Sequence, residues 1–286
     1  MASSTAISSA ITQEPLPGLE KSAVPPKLDF IVRRCRLSDI PYLAVHTTHT
    51  YSPVADWLYP GAKEHPEELL RIFRRGIEKY YVNPAGIFLV ACLASSPSIP
   101  IGSTFSIRVG TDPLARQVVY EKGYLLRAWL FVLSWYFWAY HWAETKIWKD
   151  HVTDVVNQKD FAGRIKHDTE KYWSQPERQN RWKVMAATVD PPYHSKGVGR
   201  ALLQPIIDRA ERERVIVGLS SSSHGEHLYR KLGFELMGDF SMRLPAENDF
   251  GGGHMIRYFE GYQGERHEKY DGWYDQQKRK ESELRI

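Results

Sequence analysis

The stretch Val189-Asp190-Pro191-Pro192-Tyr193-His194-Ser195-Lys196-Gly197-Val198-Gly199-Arg200-Ala201-Leu202-Leu203 decides how the chain folds. It begins at the end of an apolar run, Trp182 to Val189, which predicts a strand. It ends in a helical pattern, Gly197 to Arg214, with Leu202, Leu203, Ile206, Ile207 and Ala210 on one face. A glycine-containing loop between a strand and a helix presents unpaired backbone N–H groups at the positive end of the helix dipole, where a pyrophosphate can bind. Glycine permits close approach, and Lys196 and Arg200 add positive charge. Taken alone, Gly197-Val198-Gly199 also reads as a plain structural turn. It is not a dinucleotide fingerprint: Leu202 stands where that motif has its third small residue, no acidic ribose partner follows about twenty positions on, and no G-x-x-x-x-G-K-[ST] loop occurs.

Outward from this stretch, Val215 to Ser220 predicts a strand, His224 to Leu232 a short helix closed by Gly233, Phe234 to Leu244 a strand, and His254 to Phe259 a last strand. Strand, helix, strand, helix, strand over residues 182 to 244 requires a parallel pair, and hence an α/β sheet. On the N-terminal side, Leu28 to Arg34 alternates as a strand, and Ser38-Asp39 caps a helix through Ile40, Leu43 and Ala44. A loop punctuated by Pro53, Pro60, Gly61 and Pro66 carries Tyr51, Trp57, Leu58 and Tyr59, for which binding and packing are equal readings. Glu67 to Tyr81 reads as a helix, and Ile87 to Ala94 and Ile101 to Val109 as buried strands joined by a turn over Ser95 to Pro100.

Residues 112–181 form a helical insertion whose segment Tyr124 to Trp148 holds five tryptophans. Its uncharged core, Ala128 to Ala143, is shorter than the ~20 apolar residues a bilayer span needs. Trp135, Trp138 and Trp142 recur at helical spacing. The leading expectation is a helix buried against the domain, ahead of an oligomer or partner face and a membrane-surface helix.

The 286 residues carry 38 Lys+Arg against 34 Asp+Glu, a net charge of +4, with 42% hydrophobic residues, enough for one large core. Without dense Lys/Arg clusters, a nucleic-acid partner is not expected. Cys35 and Cys92 are too few for a disulfide framework, so a reducing compartment is expected, cytoplasmic with the nucleus also open. Residues 1–26 read as a flexible lead-in without secretory or transit features, 27–260 as one domain, and 261–286 as a polar tail in which Lys278-Arg279-Lys280-Glu281 is a solvated face.

The central motif resembles the GNAT N-acetyltransferases, whose acetyl-coenzyme A loop reads [Q/R]-x-x-G-x-[G/A]. His194-Ser195-Lys196-Gly197-Val198-Gly199 matches it, with His194 replacing the usual Gln or Arg. About thirty residues on, Leu228-Tyr229-Arg230-Lys231-Leu232-Gly233-Phe234 matches the second signature, L-Y-x-K-L-G-F. The first strand and helix, with Ile31-Val32-Arg33-Arg34 and Ser38-Asp39-Ile40, are also similar. The resemblance implies a mixed, strongly twisted α/β sheet flanked by helices, interrupted by the insertion. It implies direct acetyl transfer from acetyl-CoA to an amine on a small molecule or peptide, without a metal. The implied coenzyme contacts are Ala187, Thr188 and Val189 along the strand, His194, Ser195, Lys196, Gly197, Val198, Gly199 and Arg200 in the loop, and Ser222, where many members have Asn. Tyr229 is the implied acid for the departing thiolate; its other reading is a core aromatic.

Three departures matter. Pro205 interrupts the loop helix and predicts a kink. No Asp or Glu lies on Trp182 to Val189, where a general base is often found, so His46, His49, His141 or a water chain stand as candidates. His224 and His227 form an H-x-x-H pair without a third ligand, so no metal site is expected. The aromatic insertion is read as a wall of the acceptor site or as a homo-oligomer face; a membrane partner is not expected. The competing function is a coenzyme-binding scaffold without turnover, using the insertion to meet a partner or a membrane surface.

Overall fold

The computed structural model describes residues 28–50, 54–241 and 252–283. Alternation of side chains governs the N-terminal half of its sheet. On β2 (Gly86–Leu93), Val90 and Cys92 join one core cluster, while Leu89 and Ala91 join another, so the strand is buried on both faces. Seven strands form one sheet in the order β1-β2-β3-β4-β5-β7-β6, the others being β1 (Phe30–Arg34), β3 (Ser96–Val109), β4 (Arg181–Val189), β5 (Ile216–Ser222), β6 (Glu235–Gly238) and β7 (Gly252–Arg257). Every neighbouring pair is antiparallel except β4 and β5. The mixed α/β architecture and the parallel pair expected from the sequence are therefore present.

Against the Val90 face pack α1 (Ile40–Thr50) and, after the short α2 (Val54–Leu58), α3 (Pro66–Tyr81), through Leu43, Ala44 and Ile77. Asp39, fully buried before α1, accepts from Arg33 at 2.7 and 2.8 Å and from the Arg36 N–H at 2.6 Å, locking β1 to the helix start. Cys35 and Cys92 are free and buried, and burial pushes the Cys35 thiol up. The other face receives α8 (Val198–Glu213) and α9 (Ser223–Lys231) around Trp182, Leu203 and Leu219. α8 continues unbroken through Pro205, because Leu202, Leu203, Ile206 and Ile207 hold it to the sheet on both sides of the missing hydrogen bond.

Three expectations shift. The turn between β2 and β3 spans only two residues, and β3 already begins at Ser96; Pro100 pairs opposite Cys92 at a register irregularity, where a strand tolerates a residue without an N–H. The strand predicted over Phe234 to Leu244 is shorter, and Leu244 lies outside the described residues, as do residues 1–27. The last strand starts at Gly252, whose N–H donates to the buried Glu226 at 2.7 Å.

The segment after β3 folds into α4 (Pro113–Tyr120), α5 (Gly123–Ile147), α6 (Val155–Trp173) and α7 (Pro176–Gln179). Asp112 and Asp154 cap α4 and α6 through backbone N–H groups. α6 belongs to the core: Tyr172 and Trp173 pack on β5 to β7, and Cβ atoms at Gly218 and Gly238 would collide with their rings. α5 does not. The expectation that it is buried fails, since only Leu130, Leu133 and Glu144 are buried while Trp135, Trp138 and Trp142 are exposed. An aromatic run defines no inward face by itself; α5 is oriented by polar partners on α3. After β7 the chain returns to β6 and ends in α10 (Trp273–Glu283), tied by Arg230 to Asp275 at 2.7 Å.

Candidate active site

The site begins where the sheet splits. β4 pairs with β5 from Arg181↔Ile216 to Val184↔Leu219 and no further. Beyond that point β4 runs on to Val189 against β3 alone, while Ser220 to Ser222 pair only with β7. The β5-facing edge from Met185 to Val189 is thus an open strand edge, beside the carboxyl ends of two parallel strands, where α/β sheets bind ligands. Ala187, Thr188 and Val189 all lie on this edge. Thr188 shares a 3.2 Å hydroxyl contact with Ser103.

At its end, Asp190 to Tyr193 make a short 3-10 turn closed by Tyr193 N–H to Asp190 O and His194 N–H to Pro191 O. His194 Nε2 lies 2.7 Å from the Val189 carbonyl; a carbonyl only accepts, so Nε2 carries the proton. Where a Gln or Arg was expected, the imidazole therefore clamps the loop's two ends together. Ser195 (φ 59°) and Gly197 (φ 85°) take left-handed backbone, and the chain then enters α8. Val198, Gly199 and Arg200, the first residues of α8, have N–H groups with no intrahelical acceptor, and among the described residues no other protein acceptor meets them. The Lys196 ammonium lies 5.8 Å over the Tyr193 ring, and Arg200 is exposed. Cation and donors converge on one exposed turn.

The two glycines do different work. A Cβ at Gly197 would touch nothing, so only its φ demands glycine; at Gly199 a Cβ would lie 2.8 Å from Leu228 Cδ2, so its absence lets α8 and α9 approach. Ser222 caps α9, accepting from the Gly225 N–H at 3.3 Å. Tyr229 is buried, edge-on to Phe234 at 5.6 Å, in the same core cluster as Val184 and Leu219, the last pair before the strands part. Glu226, unremarked in the sequence, is fully buried and bonded to Arg230 and Gly252, a structural role.

Of the histidines considered as bases, one meets the site. His46, on α1, has Nε2 3.5 Å from the Asp190 carboxylate, directly after β4, and its buried Nδ1 has no partner among the described residues. Burial pushes its pKa below the ordinary 6.5, against the opposing pull of Asp190. Asp190 was missed as a partner because 144 residues separate it from His46. His141 lies on α5, bonded to Glu78 at 2.6 Å, and His49 is exposed. Trp57 and Tyr59 lean on the helices, Trp57 O accepting from Asn157 and Tyr59 meeting Phe73 edge-on; Tyr51 lies outside the described residues. His224 and His227 are exposed on α9. Elsewhere, His65, Glu67 and Glu68 lie within 4.8 Å of one another, but Glu68 is committed to His151, accepting from its N–H and Nδ1–H at 2.9 Å, which ties the chain after α5 to α3.

Residues 155–236 match the family model described as the acetyltransferase (GNAT) domain. Over this segment the GNAT resemblance is borne out. The match runs from the first residue of α6 to β6, so it includes the open β4 edge, the 193–200 turn and both signature motifs. No curated protein matches the chain. Among solved structures, the histone acetyltransferase HPA2 and related acetyltransferase from Corynebacterium glutamicum is 17% identical, with 83% of this chain and 100% of that chain covered at a TM-score of 0.47. PaiA N-acetyltransferase from Thermoplasma acidophilum, in complex with coenzyme A, is 12% identical over 81% and 100% at 0.42. The Escherichia coli GNAT-family N-acetyltransferase YhbS, also with CoA, is 13% identical over 82% and 84% at 0.39.

Proposed function

We propose that the protein transfers an acetyl group from acetyl-CoA directly to an amine. The observation that carries this reading is the open edge of β4 leading into unpaired N–H groups at the start of α8. The N–H groups of Val198, Gly199 and Arg200 receive the diphosphate, with Lys196 and Arg200 adding charge, and the β4 edge from Ala187 to Val189 pairs with the pantetheine amides. The thioester then lies along the open β4 edge, where a β4 N–H near Val189 donates to the developing oxyanion.

In the transfer the amine nitrogen bonds to the acetyl carbon and the carbon–sulfur bond breaks. His46, kept neutral by burial that outweighs the pull of Asp190 and oriented by that carboxylate, takes the amine proton. Tyr229 delivers a proton to the leaving sulfur. A phenol is ordinarily a weaker acid than a thiol, so this proton moves as the carbon–sulfur bond breaks and charge builds on sulfur. No cysteine acyl intermediate is invoked, since both thiols are buried elsewhere. The acceptor is a small molecule or a peptide.

Release of free thiol from acetyl-CoA, followed across a panel of amines and peptide N-termini, tests this reading. One observation favours the scaffold reading instead, the burial of Tyr229 within the core. Micromolar coenzyme binding without thiol release on any acceptor would establish it. Absence of coenzyme binding by calorimetry would refute both.

A further inference from the structure

An ordinary surface helix turns its apolar face inward. α5 does the opposite. Toward α3 it presents polar groups: His141 meets Glu78 at 2.6 Å, Arg75 Nε donates to Glu144 at 2.8 Å, and Arg74 donates to the Tyr140 hydroxyl at 3.0 Å. Leu130 and Leu133 are its only buried apolar side chains. At 3.6 residues per turn, Trp138, Phe131, Trp135, Val132, Tyr136 and Trp129 follow one another around roughly half of its circumference, facing away from the domain. Each is between 51% and 63% exposed. From Tyr124 to Ala143, a length of about 30 Å, no acidic residue occurs, and the next one, Glu144, is buried inward. Arg127 lies at the N-terminal edge of the arc, over the Tyr120 ring, and Lys146 and Lys149 are exposed at its C-terminal end. Among the described residues nothing packs on this face, and a bare apolar face of this extent marks an interaction surface.

We propose that the outward face of α5 docks the protein on an anionic lipid bilayer, with the helix lying in the plane of the headgroups. Two features favour lipid over a second copy of the chain. Two helices touch along a strip, so a partner α5 centred on Trp135 covers Trp138, one turn on and in ring contact with it, but leaves Tyr136 and Trp129, about 100–120° round the helix, in water; a deformable headgroup layer covers the whole arc. An antiparallel two-fold pairing about Trp135 also brings Arg127 of one copy near Lys146 of the other, with no acidic residue from Tyr124 to Ala143 to offset them, whereas anionic headgroups supply the opposite charge. Tryptophan and tyrosine are the side chains that settle at the headgroup boundary. No described helix is long and apolar enough to cross a membrane, so α5 lies on the bilayer rather than through it. This surface stands apart from the β4 edge, and the proposal does not depend on acetyl transfer.

The test uses the full-length protein with vesicles of phosphatidylcholine alone and of phosphatidylcholine with about one-third phosphatidylserine. Flotation with the anionic vesicles, a blue shift of tryptophan emission and quenching by brominated acyl chains are expected. The double variant Trp135→Ser/Trp138→Ser should weaken vesicle binding at least tenfold, and Val132→Asp, which puts a charge at the middle of the arc, should act alike if the double variant folds poorly. Lys146→Gln and Lys149→Gln should each weaken binding to anionic vesicles about fivefold. An unchanged far-UV circular dichroism spectrum establishes that each variant is folded. Failure to float with either vesicle overturns the proposal. So does a dimer in sedimentation velocity that becomes monomeric in the tryptophan variant while vesicle binding is absent, which would assign the face to a second copy.

Discussion

Replacing Gly197 by Ala separates a backbone role from a packing role in the coenzyme turn. The residue has φ 85° and nothing within 4 Å of its would-be Cβ, so the methyl meets no obstacle and the whole cost is conformational. Left-handed backbone costs an L-residue roughly 1–2 kcal/mol. If the turn keeps its shape, that cost appears as lost stability, about 2–4 °C in Tm per kcal/mol for a domain of this size. If the turn relaxes to ordinary φ, the N–H groups of Val198 and Gly199 lose their alignment, and coenzyme affinity falls by about 5- to 30-fold. The two losses trade against each other, and calorimetric titration with CoA alongside thermal unfolding measures both. Gly197→Asn, which tolerates the left-handed region, should recover most of either loss. Gly199→Ala should behave differently: its methyl presses on Leu228, so stability falls by up to about 1–3 kcal/mol as the α8–α9 contact adjusts. A Gly197→Ala protein with unchanged Tm and unchanged CoA affinity would refute the assigned turn geometry. Equal behaviour of the two variants would refute the division of labour between the glycines.

Three further outcomes are expected. Tyr229→Phe should lower kcat by about 10²–10⁴-fold with CoA affinity unchanged, measured by thiol release and calorimetry; normal turnover removes the acid assignment. His46 acts as a base only when neutral, and burial holds its pKa below 6.5, so kcat should be level at neutral pH and fall as pH drops through that lowered value. His46→Gln should cut kcat and abolish this acid limb, while an unchanged pH profile would assign the limb to another group. Gly218→Ala drives a methyl into the Trp173 ring and should destabilise the fold by about 1–3 kcal/mol in urea unfolding, with recovery in Gly218→Ala/Trp173→Leu; no loss in the single variant would contradict the packing of α6 on β5.

The turn at 193–200 and the helices after it were legible because their signals are local. Glycine at a left-handed position, an apolar stripe at helical spacing and a closing Gly233 each act within a few residues of themselves. His194 was legible only as a departure, since its partner is a carbonyl, which every residue carries. Pro205 predicted a kink that the leucines and isoleucines around it prevent. Tyr229 was placed on the correct helix, yet its depth in the core depends on Val184 and Leu219, which arrive from other strands.

By itself the sequence determined the α/β alternation, the order of the motifs and the position of the turn, because hydrophobic period and backbone preference are properties of short windows. Only the tertiary structure decided where β4 and β5 part, that His46 meets Asp190, and which way α5 faces. A run such as Tyr124 to Ala143 is apolar on every side, so periodicity names no inward face; Glu78, Arg74 and Arg75 on α3 do, by capturing its few polar groups. Partnerships between residues far apart in the chain depend on the path between them, and no short window contains that path.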